Sequence, residues 1–260
     1  MDENNFVPAE GDLVLRDDQA EFFCILDEVG KRRAHGSRVR LIDSGAFSIL
    51  EAERLALAGA DIFTSDKAGR PPADLLILND AAKKSGTTLA FFLEGPIASE
   101  PGMTGFPMSA LREGVREGLA LYLSNKKIAR SVADLTVLAE DARDGRGVIG
   151  YYHHGPLVLG LSELIRTGAW LHVAAVPESE SETVPALLDL ARAAEGGGLV
   201  IHLDSLFSDA AVEDLLDAGA YLLFRTPPFD YRSPFRKLAE RAARRVLDPR
   251  AYYLYSEFMR

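Results

Sequence analysis

The sequence contains one cysteine, Cys24, in 260 residues, so no disulfide can form within the chain. That fits a reducing compartment. No apolar run approaches the roughly 20 residues that a membrane-spanning helix needs. The start, MDENNFVPAEGD, is acidic, whereas a secretory leader carries basic residues and an apolar core. A cytoplasmic protein without membrane association is the expectation. Basic charge is also in short supply: 29 Lys and Arg stand against 39 Asp and Glu, a formal net charge of −10. Such a surface repels phosphate backbones, which argues against extended nucleic-acid binding. The one basic cluster, RKLAERAARR (236–245), repeats its charges at helical spacing among Ala and Leu and reads as a solvated helix face. There is no Walker loop and no dinucleotide fingerprint. AAEGGGLV places its glycines ahead of a strand, as a turn does, instead of behind one.

What is present is a globular composition, 47% hydrophobic and 26% charged, with a regular rhythm. From residue 38 onward, short β-branched or aromatic runs alternate with longer amphipathic ones. The expected strands are RVRLID (38–43), DIFTSD (61–66), TTLAFFLEG (87–95), LALYLS (119–124), GVIGYY (147–152), AWLHVAAV (169–176), GLVIHLDS (198–205) and AYLLFRTP (220–227). Helix-length segments separate them. One is FSILEAERLALAGA (47–60), with Leu50, Arg54 and Leu57 at turn spacing, and a last helix is expected near 232–247. Strand–helix alternation calls for parallel strands joined by crossover helices. Eight such units predict a closed (β/α)8 barrel, a TIM-type α/β fold. An open doubly wound sheet is the alternative.

Residues 1–37 read as an N-terminal extension. Its helix, RDDQAEFFCILDEVGKRR (16–33), sets Phe22, Ile25, Leu26 and Val29 on one face and is expected to cover the N-terminal end of the barrel. Residues 38–260 are expected to form a single barrel domain. It ends in an aromatic tail, AYYLYSEFMR, which either packs on its own barrel or pairs two copies into a homodimer through Tyr252, Tyr253, Tyr255 and Phe258.

In a barrel of this kind the reacting groups stand at the C-terminal ends of the strands. Those ends read Asp43-Ser44, Ser65-Asp66-Lys67, Glu94, Ser124-Asn125-Lys126, His153-His154, Val176-Pro177, Asp204-Ser205 and Arg225-Thr226. Four of the five histidines, His153, His154, His172 and His202, fall on three consecutive strands. Strand alternation turns His172, His202 and Asp204 toward the barrel axis. In GVIGYYHHGP (147–156), Ile149 and Tyr151 on the helix side leave Tyr152 and His154 inward, with His153 in support. The expected site has Asp66, Glu94, Asp204 and Arg225 as catalytic groups. Glu94, His154, His172, His202 and Asp204 are the candidate ligands of one divalent metal (Zn, Mn or Fe). Such a metal activates a bound water. Without one, the same groups act as general acid and base. Arg225 is placed to neutralise an anionic group on a small-molecule substrate. The alternative for each inward histidine is hydrogen-bonded core filling. The loops DSLFSD and RTPPFDYR lack the glycines of a barrel phosphate site.

The order of FSILEAERLALAGADIFTSDKAG, AAKKSGTTLAFFLEG and GRGVIGYYHHGP resembles the PHP family of metal-dependent phosphoesterases and the wider amidohydrolase-like barrels. Ser65-Asp66-Lys67 stands where that family has Thr-Asp-His. Glu94 matches its metal-binding glutamate, and His153-His154-Gly155-Pro156 matches a His-Pro element. IHLDS is similar to a His-x-Asp element of some of these phosphatases. The pattern departs at LIDSGA, which has no His-x-His, at Lys67, and at FRTPP, which has no Asp-x-His. The resemblance implies a hydrolase barrel with a metal site. The departures imply altered metal chemistry, or a scaffold kept without its metals, as in the family's noncatalytic RNA-associated cousins. Two functions stay open, a hydrolase and an inert barrel that binds or assembles. A metal-free lyase, using Lys67 as a Schiff-base amine or an acid–base pair, is a third.

Overall fold

The computed structural model describes residues 12–99, 103–175, 180–203, 207–224 and 246–247. The protein has an α/β fold whose long ladders are parallel. The chain divides into two compact units, residues 1–123 with 141–149 and residues 124–140 with 150–260.

The first unit repeats a strand–helix step. In chain order it comprises β1 (Leu13–Arg16), α1 (Phe22–Ala34), β2 (Val39–Asp43), α2 (Ile49–Ala58), β3 (Ala60–Ser65), α3 (Pro72–Ser85) and β4 (Leu89–Leu93). A small pair, β5 (Ile97–Ala98) and β6 (Phe106–Pro107), precedes α4 (Met108–Arg116) and β7 (Ala120–Ser124). The strands pair in the order β1-β2-β3-β4-β7. Every residue of β4 is buried, as expected of a parallel strand covered on both faces. Helix α2 shows how local chemistry sets the boundaries. Ser48 and Glu51 form a reciprocal capping box at its start, and Gly59 takes the left-handed conformation (φ 117°) that closes its end. The helix turns Ala52, Leu55 and Ala56 inward. Leu50 and Leu57, at turn spacing in the sequence, are 68% and 43% exposed and face away from the core.

Helix α5 (Val132–Gly145) and strand β8 (Val148–His153) contribute residues to both units. The second unit continues with α6 (Leu161–Arg166), β9 (Trp170–Ala175), α7 (Glu180–Ala193), β10 (Gly198–Leu203), α8 (Asp209–Asp217), β11 (Tyr221–Phe224) and β12 (Val246–Leu247). Its strands pair in the order β8-β9-β10-β11-β12, with Tyr152 opposite His172 and His202 opposite Ala174.

All eight expected strands form, as β2, β3, β4, β7, β8, β9, β10 and β11. Barrel closure is not among the pairings of the described residues. Three boundaries differ from the sequence reading. Leu13–Arg16 is a strand beside β2, because its apolar residues extend into a turn at Asp17 that ends them before any helix can start. Helix α1 therefore begins at Phe22 instead of residue 16, and it buries Phe22, Ile25 and Val29. Val246–Leu247, assigned from the sequence to the last helix, pairs as a strand with β11. The rest of that helix, the basic cluster at 236–245 and the aromatic tail with its dimer contact lie outside the described residues. Among the described residues no helix is long and apolar enough to cross a membrane.

Candidate functional site

At the C-terminal ends of β1, β2 and β3, charge is organised around backbone. Asp43, the last residue of β2, is buried and receives a fork of two hydrogen bonds from Arg70, Nε to Oδ2 and Nη2 to Oδ1, each 2.6 Å. The Thr64 hydroxyl of β3 donates to the same carboxylate at 2.6 Å, and the Gly45 amide at 3.2 Å. Arg70 also donates to the Phe47 carbonyl. This two-toothed geometry is the strongest that a guanidinium and a carboxylate adopt. It ties the loop after β2 to the loop after β3. Gly45 sits at φ 87°, and a Cβ there would lie 2.4 Å from the Ala68 carbonyl oxygen, so the two loops approach as closely as a glycine permits.

Asp17, in the turn after β1, accepts from the Ser44 amide (2.9 Å), the Ser44 hydroxyl (2.7 Å) and the Ala46 amide (2.9 Å). Burial opposes its charge, but these hydrogen bonds outweigh burial and hold the carboxyl below its ordinary range. A carboxyl lowered in this way stabilises the fold above its unfolded pKa of about 3.9, and that contribution is lost as pH falls through the lower folded value. Asp17→Asn is expected to destabilise by about 1–3 kcal/mol at pH 7, because an amide cannot accept all three hydrogen bonds. Urea unfolding at pH 7, 4 and 3 checks the sign. The gap between wild type and variant narrows at the acidic end, and a gap independent of pH contradicts the assignment.

One strand further on, the chemistry changes. Asp66 opens a single 3-10 turn, Asp66–Ala68, directly after β3. Its Oδ1 accepts from the Glu94 amide at 3.1 Å and its Oδ2 from the Gly95 amide at 2.7 Å. The neighbouring side chain, Lys67, reaches across to Glu94, with Nζ 2.5 Å from Oε1. The Lys67 side chain is 63% exposed and that of Glu94 12%. Asp17, Asp43 and Asp66 thus accept from loop amides, and Asp43 also grips Arg70. The exposed Lys67 ammonium meets the largely buried Glu94 carboxylate. A carboxylate beside an ammonium can take a proton from a bound water while the cation stabilises negative charge developing on a carbonyl or phosphoryl oxygen. The exposure of Lys67 is the opposite of the desolvation that a Schiff-base lysine needs.

The histidines belong to the second unit. The rings of His172 on β9 and His202 on β10 meet through Nδ1 and Nε2 at 3.0 Å, so one ring donates and the other accepts. The Tyr152 ring stacks on His172 with centroids 4.1 Å apart and planes 24° apart. Tyr152, His172 and His202 therefore share one face, as strand alternation predicts. His172 and His202 are only 1% and 2% exposed, and in this state they act as hydrogen-bonded core groups. The adjacent pair in GVIGYYHHGP secures a loop. The buried His153 bonds through Nε2 to the Pro156 carbonyl (2.8 Å), which leaves Nδ1 as the acceptor for the Asn125 amide at 3.5 Å. The side chain of Asn125 also grips the backbone of His154 on both sides, donating to its carbonyl at 3.0 Å and accepting from its N–H at 2.6 Å.

Three of the donors expected to bind a metal have other side-chain partners. Glu94 faces Lys67, and the two buried imidazoles face each other. Among the described residues no three His, Cys, Asp or Glu side chains come together as a metal-binding group. Glu94, His172 and His202 do not fit one shared metal ion as they stand. Asp204 and Arg225 lie outside the described residues. Sequence reasoning missed Arg70, Thr64 and Asn125 as partners. Only Asn125 carried a signal, its place directly after a strand end.

No family model matches the chain, and none of the curated proteins matches its sequence.

Proposed function

We propose that the protein is a hydrolase acting on a small anionic or carbonyl substrate at the C-terminal ends of β3 and β4. Glu94 serves as general base toward water. Lys67 holds the substrate's charged oxygen and stabilises the negative charge that develops as water attacks. The observation that supports this reading is the contact between Lys67 and Glu94 beside two hydrogen-bonded carboxylates, the buried Asp43 on Arg70 and Asp66 on the Glu94 amide. Strand ends in a parallel α/β fold are where such groups serve reactions. A closed (β/α)8 barrel is the architecture proposed with it. A relationship to the PHP-like barrels belongs to the same proposal: two of the segments that carry that resemblance, Ser65-Asp66-Lys67 and Glu94, meet, through the lysine that replaces the family's histidine.

The test is a panel of chromogenic carboxylic esters, phosphomonoesters and phosphodiesters, assayed on wild type and on Lys67→Met. The expected result is turnover of at least one class and a loss of about 100-fold or more in Lys67→Met, the scale of removing one oxyanion donor. An unchanged rate in Lys67→Met, or no turnover of any member, overturns the proposal.

A further inference from the structure

We infer that Asp66 is a positioning residue that sets the geometry of the Lys67–Glu94 pair. The inference rests on the reading of that pair as the reacting groups. Asp66 is linked to both partners at once. It precedes Lys67 in the chain, within the 3-10 turn, and its carboxylate receives the backbone amide of Glu94 itself. Its second oxygen receives the amide of Gly95. With both oxygens on main-chain N–H groups, Asp66 fixes where the chain leaves β4, and so where the Glu94 side chain starts.

Gly95 shows how tight this clamp is. A Cβ built there would lie 2.7 Å from Asp66 Oδ2, so any larger residue must displace the carboxylate from its present seat. This glycine has no need of the left-handed region. Its small size admits Asp66. The turn that carries Lys67 is fixed from its other side by the Arg70–Asp43 fork and by the approach of Gly45 to Ala68. Asp66 therefore ties the β3 turn to the chain leaving β4, the separation that spaces the two reacting side chains.

Two variants and two readouts test this. Asp66→Asn replaces one acceptor oxygen with an NH2 group that opposes an amide N–H. Gly95→Ala crowds the clamp without altering any charge. On the best substrate of the panel both are expected to lower kcat by about 10- to 100-fold, in line with an ångström-scale misplacement of reacting groups. KM stays within about twofold, since substrate is held through Lys67 and not through the clamp. A purely structural role lowers the melting temperature without this split. Independently of any substrate, the Glu94 and Gly95 amide proton resonances are expected to move upfield in Asp66→Asn, as charge-assisted hydrogen bonds are lost. Unchanged kcat in both variants, or unmoved amide resonances, overturns the inference. If the resonances move while Glu94→Gln remains fully active, the clamp stands and the hydrolase reading falls.

Discussion

Arg70→Ala is expected to lower the free energy of unfolding by about 3–5 kcal/mol, the range for removing one partner of a buried ion pair. Both side chains are nearly inaccessible, and Asp43 is left with the Thr64 hydroxyl and one loop amide in place of a guanidinium fork. The loss is dominated by the stranded charge and not by the strength of the bond itself. Two companion variants separate those terms. Arg70→Lys keeps the charge but cannot form two parallel bonds, so it recovers only part of the stability. Arg70→Met combined with Asp43→Leu removes both charges and is expected to be more stable than Arg70→Ala alone. Urea unfolding at pH 7 measures all of them. A loss under about 1 kcal/mol in Arg70→Ala, typical of a surface pair, contradicts the account.

Glu94→Gln is expected to lower the hydrolytic rate by about 100- to 10,000-fold with little change in stability, the scale set by loss of a general base. The amide has nearly the same shape and can still accept from Lys67 through its oxygen. What it loses is the capacity to take a proton from water. The change sits at the far end of the side chain, whereas the Glu94 backbone amide remains on Asp66. Rate and melting temperature should therefore separate in this variant. In Arg70→Ala they should fall together, because the turn that carries Lys67 is released.

The strand rhythm was legible because each of the eight runs is short, β-branched or aromatic and flanked by amphipathic segments. β1 escaped because four residues between acidic neighbours offer little alternation to read. The buried face of α2 was not legible from turn spacing: Ala52, Leu55 and Ala56 carry it, while Leu50 and Leu57 are exposed. The strand-end rule marked Glu94 as a candidate, and period-two alternation placed His172 and His202 on one face of the second unit's strands. The sequence could not show which carboxylates would be engaged by backbone. Asp43 and Arg70 are 27 residues apart, and Asp66 meets amides 28 and 29 residues away. Only the parallel pairing of β2, β3 and β4 brings them together. Nor could alternation show that the two inward histidines bond to each other.

The most direct test of the central claim, that Lys67 and Glu94 act as one reacting unit, is a double-mutant cycle on kcat/KM with Lys67→Met, Glu94→Gln and the combined variant. Groups that act together are strongly non-additive. The expected result is a double variant about as slow as the slower single one. Additive losses, or a wild-type rate in either single variant, contradict the claim.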